Sequence, residues 1–239
     1  MMGRQHKRGF TIIELILVLA ISGAMLAGII AAAGASITVQ RYKDSVNSAV
    51  DYFQGQYNLV TNVRNDRSTP VGCEGSENTT RGQSDCMIVG RVVRGEGNTV
   101  MSQAIYATNA PSSEASGTFQ EIDTSGIKES ADESSADTYT LEWGAKFKNS
   151  AAGGATDRFA IAIVRSPKSG LVTTFVNNTG STMPLGQIVT LANMKTDAKL
   201  CVLPDGGIAN VASEGLGVMI TKGASNTSGV RQINAGEGC

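Results

Sequence analysis

The chain has 239 residues, 20 Lys and Arg against 21 Asp and Glu, and a formal charge of −1. That length buries one substantial core or two small ones; the near-neutral charge excludes nucleic-acid binding by bulk electrostatics and a disordered polyelectrolyte, and 41% hydrophobic residues with a mean hydropathy near zero exclude a multi-span membrane protein. One histidine, His6, leaves little room for imidazole-dependent metal or acid–base chemistry.

The average hides an asymmetry, because the apolar content is concentrated at the start. Arg4, Lys7 and Arg8 form a basic flank without an acid, and the 26 positions between Glu14 and Arg41 carry no charge. About 20 apolar residues cross a bilayer as a helix. The basic flank predicts that the amino terminus stays cytoplasmic and that everything after Val39 faces outward. A plain anchor is one reading. A secretory signal peptide is another, with a small-x-small cleavage site at Ala33-Gly34-Ala35, although the apolar run exceeds the usual signal core of about 7–15 residues. Neither explains Glu14. A carboxylate in a hydrophobic helix costs about 2.5–3.5 kcal/mol at the bilayer centre and less near an interface, and an anchor has no use for it.

The run Lys7-Arg8-Gly9-Phe10-Thr11-Ile12-Ile13-Glu14-Leu15 resembles the leader and cleavage motif of type IV pilins and of the pseudopilins of type II secretion. The resemblance covers the leader and apolar segment closely, the following helix loosely and the remaining chain hardly at all. It implies that a prepilin peptidase cuts between Gly9 and Phe10 and N-methylates Phe10. Glu14 then lies about one helical turn from the freed amine and is placed to pair with its own terminus or with that of a neighbour in a filament, which would turn an expensive charge into a contact that sets register. Loss of the leader removes Arg4, Lys7 and Arg8 and takes the formal charge from −1 to −4.

Within the apolar helix Ala20, Ala24, Gly28, Ala32 and Ser36 recur every four positions, beside a second stripe of Gly23, Ala27, Ala31 and Ala35. Small residues at this spacing let helices approach closely in an apolar medium. From Gln40 to Asn65 the pattern becomes amphipathic: Tyr42, Val46, Ala49, Val50, Phe53, Tyr57, Val60 and Val63 define one face, with Asp44, Asn47, Asp51, Gln54 and Asn58 largely on the other. Asn65-Asp66-Arg67-Ser68-Thr69-Pro70 terminates it. A helix of this extent would reach about 80 Å, a length suited to a filament spine.

Beyond Pro70 the sequence predicts short strands at Met87–Arg94, Thr99–Ala107, Thr138–Lys148, Arg158–Arg165, Leu171–Val176, Gln187–Leu191, Lys199–Leu203, Gly217–Thr221 and Val230–Ile233. Tyr139, Leu141 and Trp143 are expected on one face of their strand. Asn109 to Asp137, rich in Ser, Thr, Glu and Asp, reads as an exposed loop. Cys73, Cys86, Cys201 and Cys239 all follow the apolar segment. An even number on the outward side favours disulfides over metal or redox chemistry. Three pairings exist; nearness in sequence favours Cys73 with Cys86 and Cys201 with Cys239, the latter resembling the carboxy-terminal disulfide loop of many type IV pilins.

The chain holds no Walker-type phosphate loop, HExxH, CxxC or GxSxG, so no catalytic residue, cofactor or metal is expected. Asp123, Glu129, Asp132 and Glu133 lack the alternation of a calcium loop. The sequons at Asn78, Asn177 and Asn226 are weak signals. The expected layout is α+β: a leader over 1–9, a membrane and assembly helix over 10–39, its amphipathic continuation over 40–66, and an outward antiparallel β head over 67–239. The resemblance implies a structural subunit of a type IV pilus, held in the inner membrane with its amino terminus inside and then built into an extracellular filament serving motility, adhesion or DNA uptake. A type II secretion pseudopilin and a minor tip pilin are the alternatives, ahead of an anchored extracellular binding protein or enzyme. Implied partners are identical or related subunits in a helical homopolymer, the prepilin peptidase, the membrane assembly machinery and a surface or host ligand; DNA finds no support in the charge.

Overall fold

The computed structural model describes residues 11–62, 86–108, 127–129, 136–150, 157–166, 169–178, 180, 182–204 and 215–239. The chain divides into two compact units, residues 1–41 and 42–239. One helix, α1 (Ile12–Thr61), supplies the described part of the first unit and the opening element of the second, the head.

Within the head, α1 keeps its amphipathic period. Tyr42, Val46, Ala49, Phe53, Tyr57 and Val60 are buried, whereas Asp44, Asn47, Asp51 and Asn58 are exposed. Val50 is half-buried. Ser45 and Gln56 are also buried, which apolar periodicity did not anticipate. The helix closes at Thr61; Val63 and the terminator expected at residues 65–70 lie outside the described residues.

The strands are β1 (Cys86–Glu96), β2 (Thr99–Thr108), β3 (Ile127–Glu129), β4 (Asp137–Thr140), β5 (Lys146–Asn149), β6 (Arg158–Arg165), β7 (Val172–Asn177), β8 (Ala198–Leu203), β9 (Leu216–Ile220) and β10 (Val230–Ile233). All pairings are antiparallel. One sheet runs β3-β2-β1-β6-β7 with β4 also on β2, and the other runs β10-β9-β8-β5. β1 and β2 form a hairpin closed by Gly97 and Asn98, with Gly97 at φ 62°, since a tight two-residue turn needs a positive φ that glycine supplies without a Cβ penalty.

β6 is buried along nearly its whole length because both of its faces are covered. Ala160, Ala162 and Val164 pack with Phe175, Leu185, Ile188 and Val189 on one side, and Phe159 faces α1 on the other, its ring 6.1 Å from that of Phe53. Phe53 also meets Phe147 of β5 at 6.2 Å, and Phe147 meets Phe159 edge to face at 5.7 Å. This aromatic trio joins the helix to both sheets. Gly95, paired with Phe159, leaves room for the ring: a Cβ there would fall within 2.2 Å of it.

Three expectations are corrected. The strand expected over Thr138–Lys148 breaks into β4 and β5 around a one-turn 3-10 segment, Glu142–Gly144, because β4 pairs with β2 in one sheet and β5 with β8 in the other. Leu141 N–H donates to Asn98 O and Phe147 N–H to Gly97 O, each at 2.8 Å, so the hairpin tip fixes both sides of the corner. Trp143 sits at that corner with φ 59°, the one non-glycine positive φ among the described residues, at a conformational cost of about 1–2 kcal/mol. Tyr139, Leu141 and Trp143 therefore share no face: Leu141 is buried and Trp143 is exposed.

The strand expected over Gln187–Leu191 is instead two short helices, α2 (Leu185–Ile188) and α3 (Leu191–Met194). Leu185, Ile188 and Val189 are buried at helical spacing, Pro184 precedes α2, and the Thr190 hydroxyl caps α3 by accepting from Asn193 N–H. Finally, the stretch expected as an exposed loop contains β3, which pairs with β2 and buries Ile127; residues 109–126 and 130–135 lie outside the described residues.

Candidate functional site

The described part of the amino-terminal unit is a helix with two separate chemistries. At its start the Thr11 hydroxyl accepts a hydrogen bond from Glu14 N–H at 3.3 Å, which satisfies one of the donors that a helix leaves unpaired at its first turn. Thr11-x-x-Glu14 has the residue pattern of a capping box, a signal present in the sequence beside the Glu14 charge. Glu14 itself is exposed. Gly9 and Phe10, the expected cleavage and methylation positions, lie outside the described residues.

From Ile12 to Ile30 every large apolar side chain is exposed, on all sides of the helix. Burying each is worth about 1.5–3 kcal/mol, so the segment leaves on the order of 20–40 kcal/mol of transfer free energy unused. A helix apolar all round belongs in lipid or among other helices. Among the described residues this is the one helix long and apolar enough to cross a membrane. Ala20, Gly23, Ala24, Ala27, Gly28, Ala31, Ala32 and Ser36 are exposed as well, and at Gly23, Gly28 and Gly34 an added Cβ would meet nothing within 4 Å. Their smallness serves no contact within the described chain.

In the head, polar side chains fasten α1 to both sheets. The Tyr42 hydroxyl accepts from Leu216 N–H and donates to Val202 O, both at 2.8 Å. It thereby bridges the last register pair of β8 and β9. Thr174 spends its one hydroxyl proton on Ala224 O at 2.6 Å, so Tyr57 donates to Thr174 Oγ1, also at 2.6 Å. Burial pushes the Tyr57 phenol up to about 12, against the lowering effect of that bond. A relay crosses from the first sheet to the helix: Arg91 Nε donates to Ser102 Oγ at 2.9 Å, Ser102 to Gln56 Oε1 at 2.7 Å, and Gln56 Nε2 to Asp137 Oδ2 at 3.4 Å. Tyr52 stacks on Tyr139 with ring centroids 4.6 Å apart, yet its hydroxyl is buried without a hydrogen-bond partner among the described residues. Burial first, and Asp137 second, raise its titration above the ordinary phenol range.

Of the four cysteines, Cys201 and Cys239 are joined, with Cα atoms 5.3 Å apart. Lys199 Nζ donates to Glu237 O at 2.9 Å and Ser150 Oγ to Gly238 O at 2.6 Å, which seats the terminal segment on the second sheet. Cys73 and the Cys86 side chain lie outside the described residues. Glu129, one of the four acids weighed for calcium, forms a two-pronged ion pair with Arg94 at 2.6 Å; Asp123, Asp132 and Glu133 lie outside the described residues. Among the described residues no group of three or more His, Cys, Asp or Glu is placed to hold a metal. Asn177 is buried, Asn226 is exposed and caps a 3-10 turn by accepting from Ser228 N–H, and Asn78 lies outside the described residues.

With this geometry in hand, residues 4–30 match the family model of the prokaryotic N-terminal methylation motif. That motif is the class III signal peptide of type IV pilins, and the long helix followed by antiparallel sheets is the α+β layout consistent with a type IV pilin-like fold. No curated protein and no solved structure matches the chain at a significant level.

Proposed function

We propose that the chain is a structural subunit of a type IV pilus. In this reading a prepilin peptidase cuts after Gly9 and methylates Phe10, and the subunit waits in the inner membrane with its head outside. The membrane assembly machinery then packs its apolar helix against those of related subunits, and Glu14 pairs with the Phe10 terminus of a neighbour. The observation that carries the reading is the apolar helix exposed on every side, bearing one carboxylate beside a methylation motif. Replacing Glu14→Leu is expected to leave leader processing intact and to abolish filaments. The checks are mass spectrometry of the amino terminus and electron microscopy of sheared cell-surface material. Normal filaments from that variant, or a mature terminus near Ser36, would refute the proposal. An N-methylated Phe10 in an abundant filament identifies a major subunit, whereas a scarce one found with type II secretion components identifies a pseudopilin.

A further inference from the structure

We propose that the end of the head where α1 enters it docks on a phospholipid interface, with the Trp143 indole seated in the outer headgroup layer while the subunit is still in the membrane. The inference rests on the membrane reading of the apolar segment given above.

Trp143 is 56% exposed, whereas Leu141 and Ala145 on either side of its corner are buried. Its left-handed backbone holds the indole out of the core. The corner is tied to the beginning of the head helix, because Ser45 Oγ donates to Glu142 O at 3.4 Å. Leu203, 42% exposed, follows Val202, whose carbonyl accepts from Tyr42, and stands opposite the exposed Lys146 in the β5–β8 pair. An exposed Trp and Leu with Lys43 and Lys146 around them match the make-up of a membrane interface, where indoles sit at headgroup level and lysine stems lie along apolar surface. Asp44 and Glu142 are exposed at the same end, so the local charge is balanced. The attraction is that of indole and leucine for the interface, and zwitterionic lipid suffices.

Chain length brings this end to the bilayer. The 26 uncharged positions before Arg41 span about 39 Å as a helix, against about 40–45 Å for hydrocarbon plus both headgroup layers. Tyr42 thus emerges at the outer headgroup layer, and Ser45 follows within about one turn. Leu171 supplies the contrast. It is equally exposed, at 56%, but it accepts from Ser166 N–H in the turn after Arg165, and Arg165 Nη1 reaches Thr61 O. That end lies about 24 Å along α1 from Ser45.

Trp143 is the chain's one tryptophan, so its emission reads the site directly. The full chain is reconstituted into phosphatidylcholine vesicles, floated through a density gradient, and measured with lipids carrying a quencher at the headgroup or in mid-acyl chain. The expected result is co-flotation, emission shifted to shorter wavelength than in denaturant, and greater loss of intensity to the headgroup quencher than to the mid-chain one. The double variant Trp143→Phe/Leu171→Trp is expected to float equally while its indole stays unquenched with the emission of a water-exposed ring. Failure of the chain to co-float overturns both the membrane reading and the docking surface. Co-flotation with Trp143 unquenched overturns the docking surface alone, as does equal quenching of the indole at position 171. A wavelength shift that arises only as protein density in the vesicle rises assigns the face to a second copy of the chain, and this too overturns it.

Discussion

Three tyrosines on the head segment of α1 present their hydroxyls to three different surroundings, so the same substitution is expected to change stability by different amounts and even in different directions. Tyr42→Phe removes the acceptor of Leu216 N–H and the donor to Val202 O. A buried donor left unmatched costs about 1–3 kcal/mol and an ordinary hydrogen bond contributes about 0.5–1.5 kcal/mol, so a loss of about 2–4 kcal/mol is expected. Tyr57→Phe removes one bond, and Thr174 keeps its donation to Ala224 O; the loss should be about 0.5–1.5 kcal/mol. Tyr52→Phe removes a buried hydroxyl that has no partner among the described residues and keeps the ring stacked on Tyr139. It should be neutral or stabilising by up to about 1 kcal/mol.

The assay is urea unfolding of the full chain at fixed detergent, followed by far-ultraviolet circular dichroism, which does not depend on the substituted rings. With a slope of about 2–3 kcal/mol per molar urea, Tyr42→Phe lowers the midpoint by roughly 1 M, Tyr57→Phe by roughly a third of that, and Tyr52→Phe leaves it level or raises it. Equal losses at Tyr52 and Tyr42 would refute the reasoning, because the two sites would then differ in geometry but not in energy. A Tyr42→Phe loss below about 0.5 kcal/mol would show that the β8–β9 bridge does not hold the helix to its sheet.

Alkaline pH should act through the same residues. A phenol whose folded pKa is raised to about 12 from 10 keeps its proton longer in the folded chain, so stability is full below pH 10 and falls as pH rises toward 12, by about 2–3 kcal/mol for Tyr57. Tyr52 and Tyr139 are raised as well, so Tyr57→Phe should flatten the decline only in part, which unfolding series across that pH range would reveal. Reduction of the Cys201–Cys239 bridge, whose cysteines are 38 residues apart, should cost about 4 kcal/mol on the loop-entropy model and lower the melting temperature on the order of 10 °C; an unchanged melting curve in reductant would contradict it. Gly217→Ala places a Cβ 2.5 Å from Leu200 O and 2.7 Å from Cys239 Sγ and should destabilise by about 1–3 kcal/mol. Gly28→Ala meets open space and should strengthen the isolated helix by about 1 kcal/mol while weakening filament yield, which separates folding from assembly.

What the sequence carried about this fold follows the reach of each signal. Tyr42, Val46, Ala49, Phe53, Tyr57 and Val60 are legible because one helical period decides them locally, and β6 matches its expected bounds because an apolar run between Arg158 and Arg165 is local too. Ser45 and Gln56 are not legible, since their burial depends on Glu142 O and Ser102 far along the chain. The alternation from Thr138 to Lys148 is genuine, yet nothing in it tells that β4 and β5 pair in different sheets, and so the corner at Trp143 stays hidden. At the amino terminus the reverse holds: the methylation motif matched over residues 4–30 is legible without any tertiary contact, and the Thr11 cap is legible in the four residues Thr11 to Glu14.

Glu14 is best understood by comparing what its surroundings within the chain return with what it costs. A carboxylate in the first turn of a helix gains about 0.3–1 kcal/mol from the helix dipole. The Thr11 bond uses the Glu14 backbone N–H, not its carboxylate, and so adds nothing to stabilise the charge. Against this stands a cost in lipid that approaches about 2.5–3.5 kcal/mol toward the bilayer centre. At the interfacial end of the span, where Glu14 stands, that cost is smaller than at the centre, but the 26 following positions offer no cation to set against it. On the filament reading proposed above, the freed Phe10 amine of a neighbouring copy would supply a partner of the right charge. The same neighbour would fill the open space beside Gly23 and Gly28, so on that proposal one packed helix would serve both the Glu14 carboxylate and the small residues.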